Sequence, residues 1–181
     1  MERICITGTG RAGTTFLVRL LTLLELDTGY SKKDILENKK YIFKNCNSGL
    51  EHYSRTGPAL IIKDPVMIEH PEYFIQKYNI KTVLLPIRNY KEAAKSREMH
   101  GKKEGGLWNA NNEEEQISIY YSYIAETLLV LAKYDVELHI LDFERMTKNP
   151  KYLYEKLHFL LDCKYEYFLT MFERATDISK P

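Results

Sequence analysis

A short apolar run, Arg3-Ile4-Cys5-Ile6, leads into Gly8-Thr9-Gly10-Arg11-Ala12-Gly13-Thr14-Thr15, and an apolar helical pattern begins directly behind it. This order of strand, glycine-rich turn and helix constrains the chain more than any other feature. A strand that feeds a helix through a tight turn belongs in an α/β sheet, where crossovers are right-handed and helices cover the faces. The glycines let the turn aim backbone N–H groups inward, and the first turn of the helix adds partial positive charge. Together these make a cradle for phosphate or sulfate. Its candidate contacts are Gly10, Arg11, Ala12, Gly13, Thr14 and Thr15.

The rest of the chain repeats the alternation. Apolar runs at Arg3–Thr7, Ala59–Lys63, Lys81–Ile87 and Glu137–Asp142 read as strands of a sheet covered on both faces. Helical patterns fall at Thr14–Leu26, Pro71–Tyr78, Tyr90–Met99, Glu113–Tyr134, Lys151–Leu161 and Tyr165–Thr176, with Asn149-Pro150 as a helix start. The expected fold is a three-layer αβα domain of P-loop type, with a central parallel sheet of about four or five strands. The 181 residues suit a single domain, 1–181. Two segments resist assignment: Asp27–Pro58 is polar with weak periodicity, and the glycine- and asparagine-rich His100–Asn112 reads as a loop. In such sheets ligands bind beyond the carboxyl ends of the strands.

Composition narrows the function. A net charge of +1 gives no broad basic surface, so no nucleic-acid partner is expected and any anion site is local. The three cysteines, Cys5, Cys46 and Cys163, are scattered, which argues against a disulfide framework or a cysteine-ligated zinc and for buried reduced thiols. The longest apolar stretch, Phe16–Leu26, is broken by Arg19 and Glu25 and is too short to span a bilayer. An apolar strand at the start leaves no signal-peptide pattern. The expected setting is the cytoplasm, with no membrane partner and no metal.

Three strand ends carry chemistry-bearing residues. At the first, the spacing Gly8 to Gly13 matches a P-loop except that Thr14 stands where a nucleoside triphosphatase has lysine; the cation is Arg11, inside the loop. The second strand ends in Lys63-Asp64-Pro65, which on periodicity reads equally as a site pair or as a solvated turn capped by Asp64. The third ends in Arg88, with Ser96 about two helical turns further on. A guanidinium and a hydroxyl so placed can grip a phosphate. Arg97 reads either as an assistant to that grip or as a solvated helix residue. Trp108 reads as a lid or acceptor wall, or as a surface-anchored loop residue. Asp142 ends an apolar strand, as many aspartates do.

Taken together, Gly10-Arg11-Ala12-Gly13-Thr14-Thr15-Phe16-Leu17, Lys63-Asp64-Pro65, Arg88 with Ser96, and Asp142-Phe143-Glu144 with Asn149-Pro150 resemble the sulfotransferases that use 3′-phosphoadenosine 5′-phosphosulfate (PAPS). The likeness covers most of the chain outside the two unassigned segments. It implies that the loop from Gly10 to Thr15 holds the 5′-phosphosulfate and that Arg88 and Ser96 hold the 3′-phosphate. It also implies catalytic roles for Arg11, Lys63 and Asp64, with Asp64 as proton acceptor at the mouth of a pocket bordered by Asp27–Pro58 and His100–Asn112. The acceptor would be a small molecule or carbohydrate. The chain departs from the family in four places. Ala12 replaces the loop serine. No histidine follows Lys63, leaving Glu69 and His70 as weaker candidate bases. Arg88-Asn89-Tyr90 replaces Arg-Asp-Pro, and the C-terminal Arg-Lys-Gly element has no counterpart. The rival expectations are a P-loop kinase using ATP and a non-catalytic nucleotide-binding protein of the same fold.

Overall fold

A computed structural model of the chain describes residues 1–37, 49–51, 59–99 and 106–179. Its strands are β1 (Arg3–Ile6), β2 (Ile61–Lys63), β3 (Ile80–Ile87) and β4 (Glu137–Asp142). They form one all-parallel sheet in the order β2-β1-β3-β4. The helices are α1 (Thr14–Leu23), α2 (Lys32–Leu36), α3 (Pro71–Tyr78), α4 (Tyr90–Glu98), α5 (Glu113–Lys133), α6 (Phe143–Lys148), α7 (Pro150–Leu157) and α8 (Tyr165–Ser179), with short 3-10 turns at Pro65–Ile68 and His158–Leu160.

The alternation of side chains along the strands builds two cores. Ile4, Ile6, Ile61 and Leu84 face one side, where they pack with Leu17 and Leu21 of α1, Leu153 and Leu157 of α7, and Phe168 and Phe172 of α8. Cys5, Ile62, Val83 and Leu85 face the other, against Phe74 and Ile75 of α3 and Leu131 of α5. The result is the expected three-layer α/β arrangement with a four-stranded sheet.

Most helix starts are written in capping residues. The side chains of Asn89, Asn112 and Asn149 accept backbone N–H bonds at the starts of α4, α5 and α7. Several boundaries differ from the sequence reading. α1 stops at Leu23 because Glu25 takes a left-handed φ of 67°. The helix expected over Lys151–Leu161 is α7 followed by a 3-10 turn. Two short helices, α2 and α6, were not expected; α2 is started by a Ser31–Asp34 capping box and α6 by the Asp142 side chain. Asp142 is therefore a cap, its Oδ1 accepting from Arg145 N at 2.8 Å. Cys5 and Cys163 are free thiols, while Cys46 lies outside the described residues. Among the described residues no helix is long and apolar enough to cross a membrane.

Candidate functional site

The loop between β1 and α1 turns on left-handed residues: φ is 76° at Gly10, 57° at Arg11 and 81° at Gly13. Glycine suits two of these in clearance as well as in φ. A Cβ at Gly10 would sit 2.0 Å from Arg97 Nη2, and one at Gly13 would sit 2.7 Å from Met146 Cε. No side chain caps the start of α1. Its first N–H groups thus face the loop, where an anion is favoured.

The sheet order puts β2 and β3 on either side of β1, so both other strand ends flank this loop. From β3 comes a basic cluster. Arg11 Nε donates to Ser96 Oγ at 3.3 Å, and Arg88 Nη1 donates to the Arg11 carbonyl at 3.5 Å. Arg88 also lies 4.9 Å from the centre of the Phe143 ring and 3.6 Å from Glu92. The three residues singled out in sequence for anion contact on this side therefore meet. Beside them opens a cleft of about 490 Å³ lined by Arg88, Tyr90, Lys91, Ile117 and Tyr121, with Asp142 at its edge.

From β2 comes a buried polar cluster. Lys63 is 2% exposed, and its Nζ donates to Thr15 Oγ1 at 2.9 Å and to the Gly49 carbonyl at 2.5 Å. This brings an ammonium to the start of α1 from a neighbouring strand, in the region that a P-loop lysine serves from within the loop. Glu51 also faces Lys63, at 3.7 Å, with both side chains fully buried. Next to them Asp64 is 1% exposed. Its Oδ1 caps the 3-10 turn by accepting from Val66 N at 3.0 Å, while its Oδ2 is buried with no hydrogen-bond partner among the described residues. Burial, helped by the charge of Glu51, pushes the Asp64 carboxyl up to about 6, against the pull of the Val66 N–H and of Lys63.

Several open readings are narrowed. The Lys63–Asp64 pair is no solvated turn, since both side chains are buried. Asp64 lies under cover, with Glu51 from the first unassigned segment close by, and much of the two segments expected to border a pocket there lies outside the described residues. Arg97 is not a solvated helix residue: it is 7% exposed and donates to the carbonyls of Thr9 and Gly106. Of the weaker candidate bases, Glu69 is engaged by Asn109 and Tyr123, and His70 is exposed at the start of α3. Trp108 is half-buried, its ring 5.1 Å from the Arg97 guanidinium and 5.5 Å from Tyr123.

Sequence reasoning missed Glu51 and did not foresee the burial of Arg97. Glu51 lies in a stretch without periodicity, and nothing local marks it. A signal did exist for Arg97, since the glycine at position 10 leaves room for a large group against the loop. Among the described residues no group of three or more His, Cys, Asp or Glu side chains is placed to hold a metal. The residues assembled here can do two things: bind a dianion with backbone N–H groups and cations, and hold a proton on a buried carboxyl. No family model matches the chain, and no curated protein matches it significantly.

Proposed function

We propose that this chain is a PAPS-dependent sulfotransferase acting on a hydroxyl or amine of a small-molecule or carbohydrate acceptor, without a metal. The observation that carries the reading is the meeting of Arg88, Ser96 and Arg11 beside the glycine loop. It makes a second anion-binding place next to the first, and PAPS has a 3′-phosphate to fill it. ATP has nothing at that position.

On this reading the 5′-phosphosulfate lies on the backbone of Arg11–Thr15, near the Thr14 and Thr15 hydroxyls, and the nucleoside extends toward the cleft beside Arg88. The acceptor oxygen or nitrogen forms a bond to sulfur as the bond from sulfur to the bridging oxygen breaks. The bridging oxygen leaves with the electron pair on 3′-phosphoadenosine 5′-phosphate. Lys63 and the loop N–H groups stabilise that growing negative charge. The acceptor's proton goes to Asp64 Oδ2, whose lone pairs have no other partner among the described residues. A carboxyl held at about 6 accepts a proton more readily than an ordinary aspartate while remaining ionised at neutral pH. The free thiols Cys5 and Cys163 fit a reducing, cytoplasmic setting.

The test is calorimetric. Wild type should prefer adenosine 3′,5′-bisphosphate to 5′-AMP. Arg88→Ala should weaken the bisphosphate by about tenfold to a hundredfold and leave 5′-AMP nearly unchanged. Equal losses for both nucleotides, or preference for ATP, would favour the kinase. Transfer of label from PAPS to an acceptor panel then separates an enzyme from a binding protein.

A further inference from the structure

We infer that Arg97 is a positioning residue that couples an anion in the Gly8–Thr15 loop to the wall carrying Trp108. The inference rests on reading the loop as an anion cradle, but not on the identity of the donor.

Arg97 touches both parts. Its Nη2 donates to the Thr9 carbonyl at 3.1 Å on the loop side, and its Nη1 donates to the Gly106 carbonyl at 2.6 Å on the other. The guanidinium is planar and rigid, so the two bonds and its face move as one unit. That face lies over the Trp108 ring at 5.1 Å. The absence of a side chain at Gly10 is what lets the guanidinium reach the loop.

The far side of the contact is equally well held. The fully buried Gln116 clamps the Trp108 backbone, accepting from its N–H at 2.6 Å and donating to its carbonyl at 3.3 Å. The next residue, Asn109, donates to Glu69 at 3.1 Å and to the Tyr123 hydroxyl at 3.0 Å, and Tyr123 also donates to Glu69 at 3.2 Å. Glu69 caps the end of the 3-10 turn that begins beside Asp64. Contacts therefore run from the loop through Arg97, Trp108 and Asn109 to the turn that holds the proposed base. An anion in the cradle attracts the buried guanidinium and polarises the turn whose carbonyl it holds. It thereby favours one setting of the Trp108 wall over another. On the proposed function, binding the donor would set the acceptor side.

Trp108 is the chain's single tryptophan, so its emission reads this coupling directly. Full-length protein is titrated with inorganic pyrophosphate while binding is followed by calorimetry and emission in parallel. Wild type should bind and change Trp108 emission along the same curve. Arg97→Lys should still bind within about threefold but lose most of the emission change. A second variant, Trp108→Ala, should weaken pyrophosphate about fivefold despite lying outside the cradle, because coupling is reciprocal. That measurement stands if Arg97→Lys does not fold. The inference is overturned if pyrophosphate binds without an emission change, if Arg97→Lys responds fully, or if Trp108→Ala binds as wild type. It is also overturned if pyrophosphate does not bind at all. If the coupling holds but adenosine 3′,5′-bisphosphate is not preferred to 5′-AMP, the inference survives and the sulfotransferase reading fails.

Discussion

The charged residues at the ends of β2 and β3 are of similar kinds but sit in opposite surroundings. Lys63, Asp64 and Glu51 are 2%, 1% and 0% exposed. Arg11 is exposed, and a quarter of the Arg88 side chain meets solvent. In the open, a cation gains little from any one partner and is screened by salt, yet it remains available to attract an anion. Under cover, a charge depends on its neighbours, and its proton affinity moves with them. One sheet thus separates a place suited to holding an anion from a place suited to handling a proton.

The variant that should break this comparison most is Lys63→Ala. It removes the ammonium facing the buried Glu51 carboxylate, a change that costs about 3–5 kcal/mol in comparable buried pairs. Urea unfolding should show a large fall in midpoint for Lys63→Ala and almost none for Arg11→Ala. Similar losses would mean that the two ends differ in appearance only.

Asp64→Asn comes next, with a sign that depends on pH. The folded chain holds the Asp64 proton up to about pH 6, against an ordinary value of 3.8. Folding therefore takes up a proton between those values, and stability falls as pH rises through that window. Above it, the ionised carboxylate costs the folded state roughly 3 kcal/mol. Asp64→Asn should be more stable than wild type by about that much at pH 7.5, and the difference should vanish near pH 4. A difference that is the same at both pH values would rule out a raised carboxyl. If Asp64 is the base, turnover in wild type should rise with pH to a plateau above about pH 6, and Asp64→Asn should lower it by about a hundredfold or more.

The smallest effect sharpens the contrast without a mutation. Raising salt from about 50 to 200 mM should weaken bisphosphate binding severalfold, because Arg11 and Arg88 are open to screening. The Asp64 titration midpoint, read by carboxyl carbon NMR, should move by less than about 0.2 pH across the same range. A midpoint that shifts with salt as binding does would place Asp64 in contact with bulk water.

Much of the scaffold was legible because its signals are local. Apolar runs at Ile4–Ile6, Ile61–Ile62 and Val83–Leu85 mark strands whichever partners they pair with. Asn112 and Asn149 mark helix starts through their own side chains. The glycine loop was legible for the same reason, since it follows a recognisable strand, whereas Arg88 and Ser96 were singled out through the resemblance, because alone an arginine and a serine at that separation mark little. What was not legible depends on distant neighbours. Arg19 looks like an interruption in an apolar stretch, yet it is 4% exposed and donates to Ile178 O and Ser179 Oγ of α8. Arg97 has the sequence context of a surface helix and is buried by the loop and by Trp108. Glu51 is buried facing Lys63, a residue twelve positions away on β2.

The place of β1 in the sheet has a consequence for how the chain comes to be folded. Ile4 pairs with Ile61 on one side and with Thr82 on the other. During synthesis β1 emerges before both of its partners and must wait for them, and closing such long spans is slow. The glycine loop cannot take its final form before that closure, because β1 and the residues around the loop are held from β2, β3 and α4. Its hydrogen-exchange protection during refolding should therefore appear late, together with that of β2 and β3 and after that of the locally capped α5.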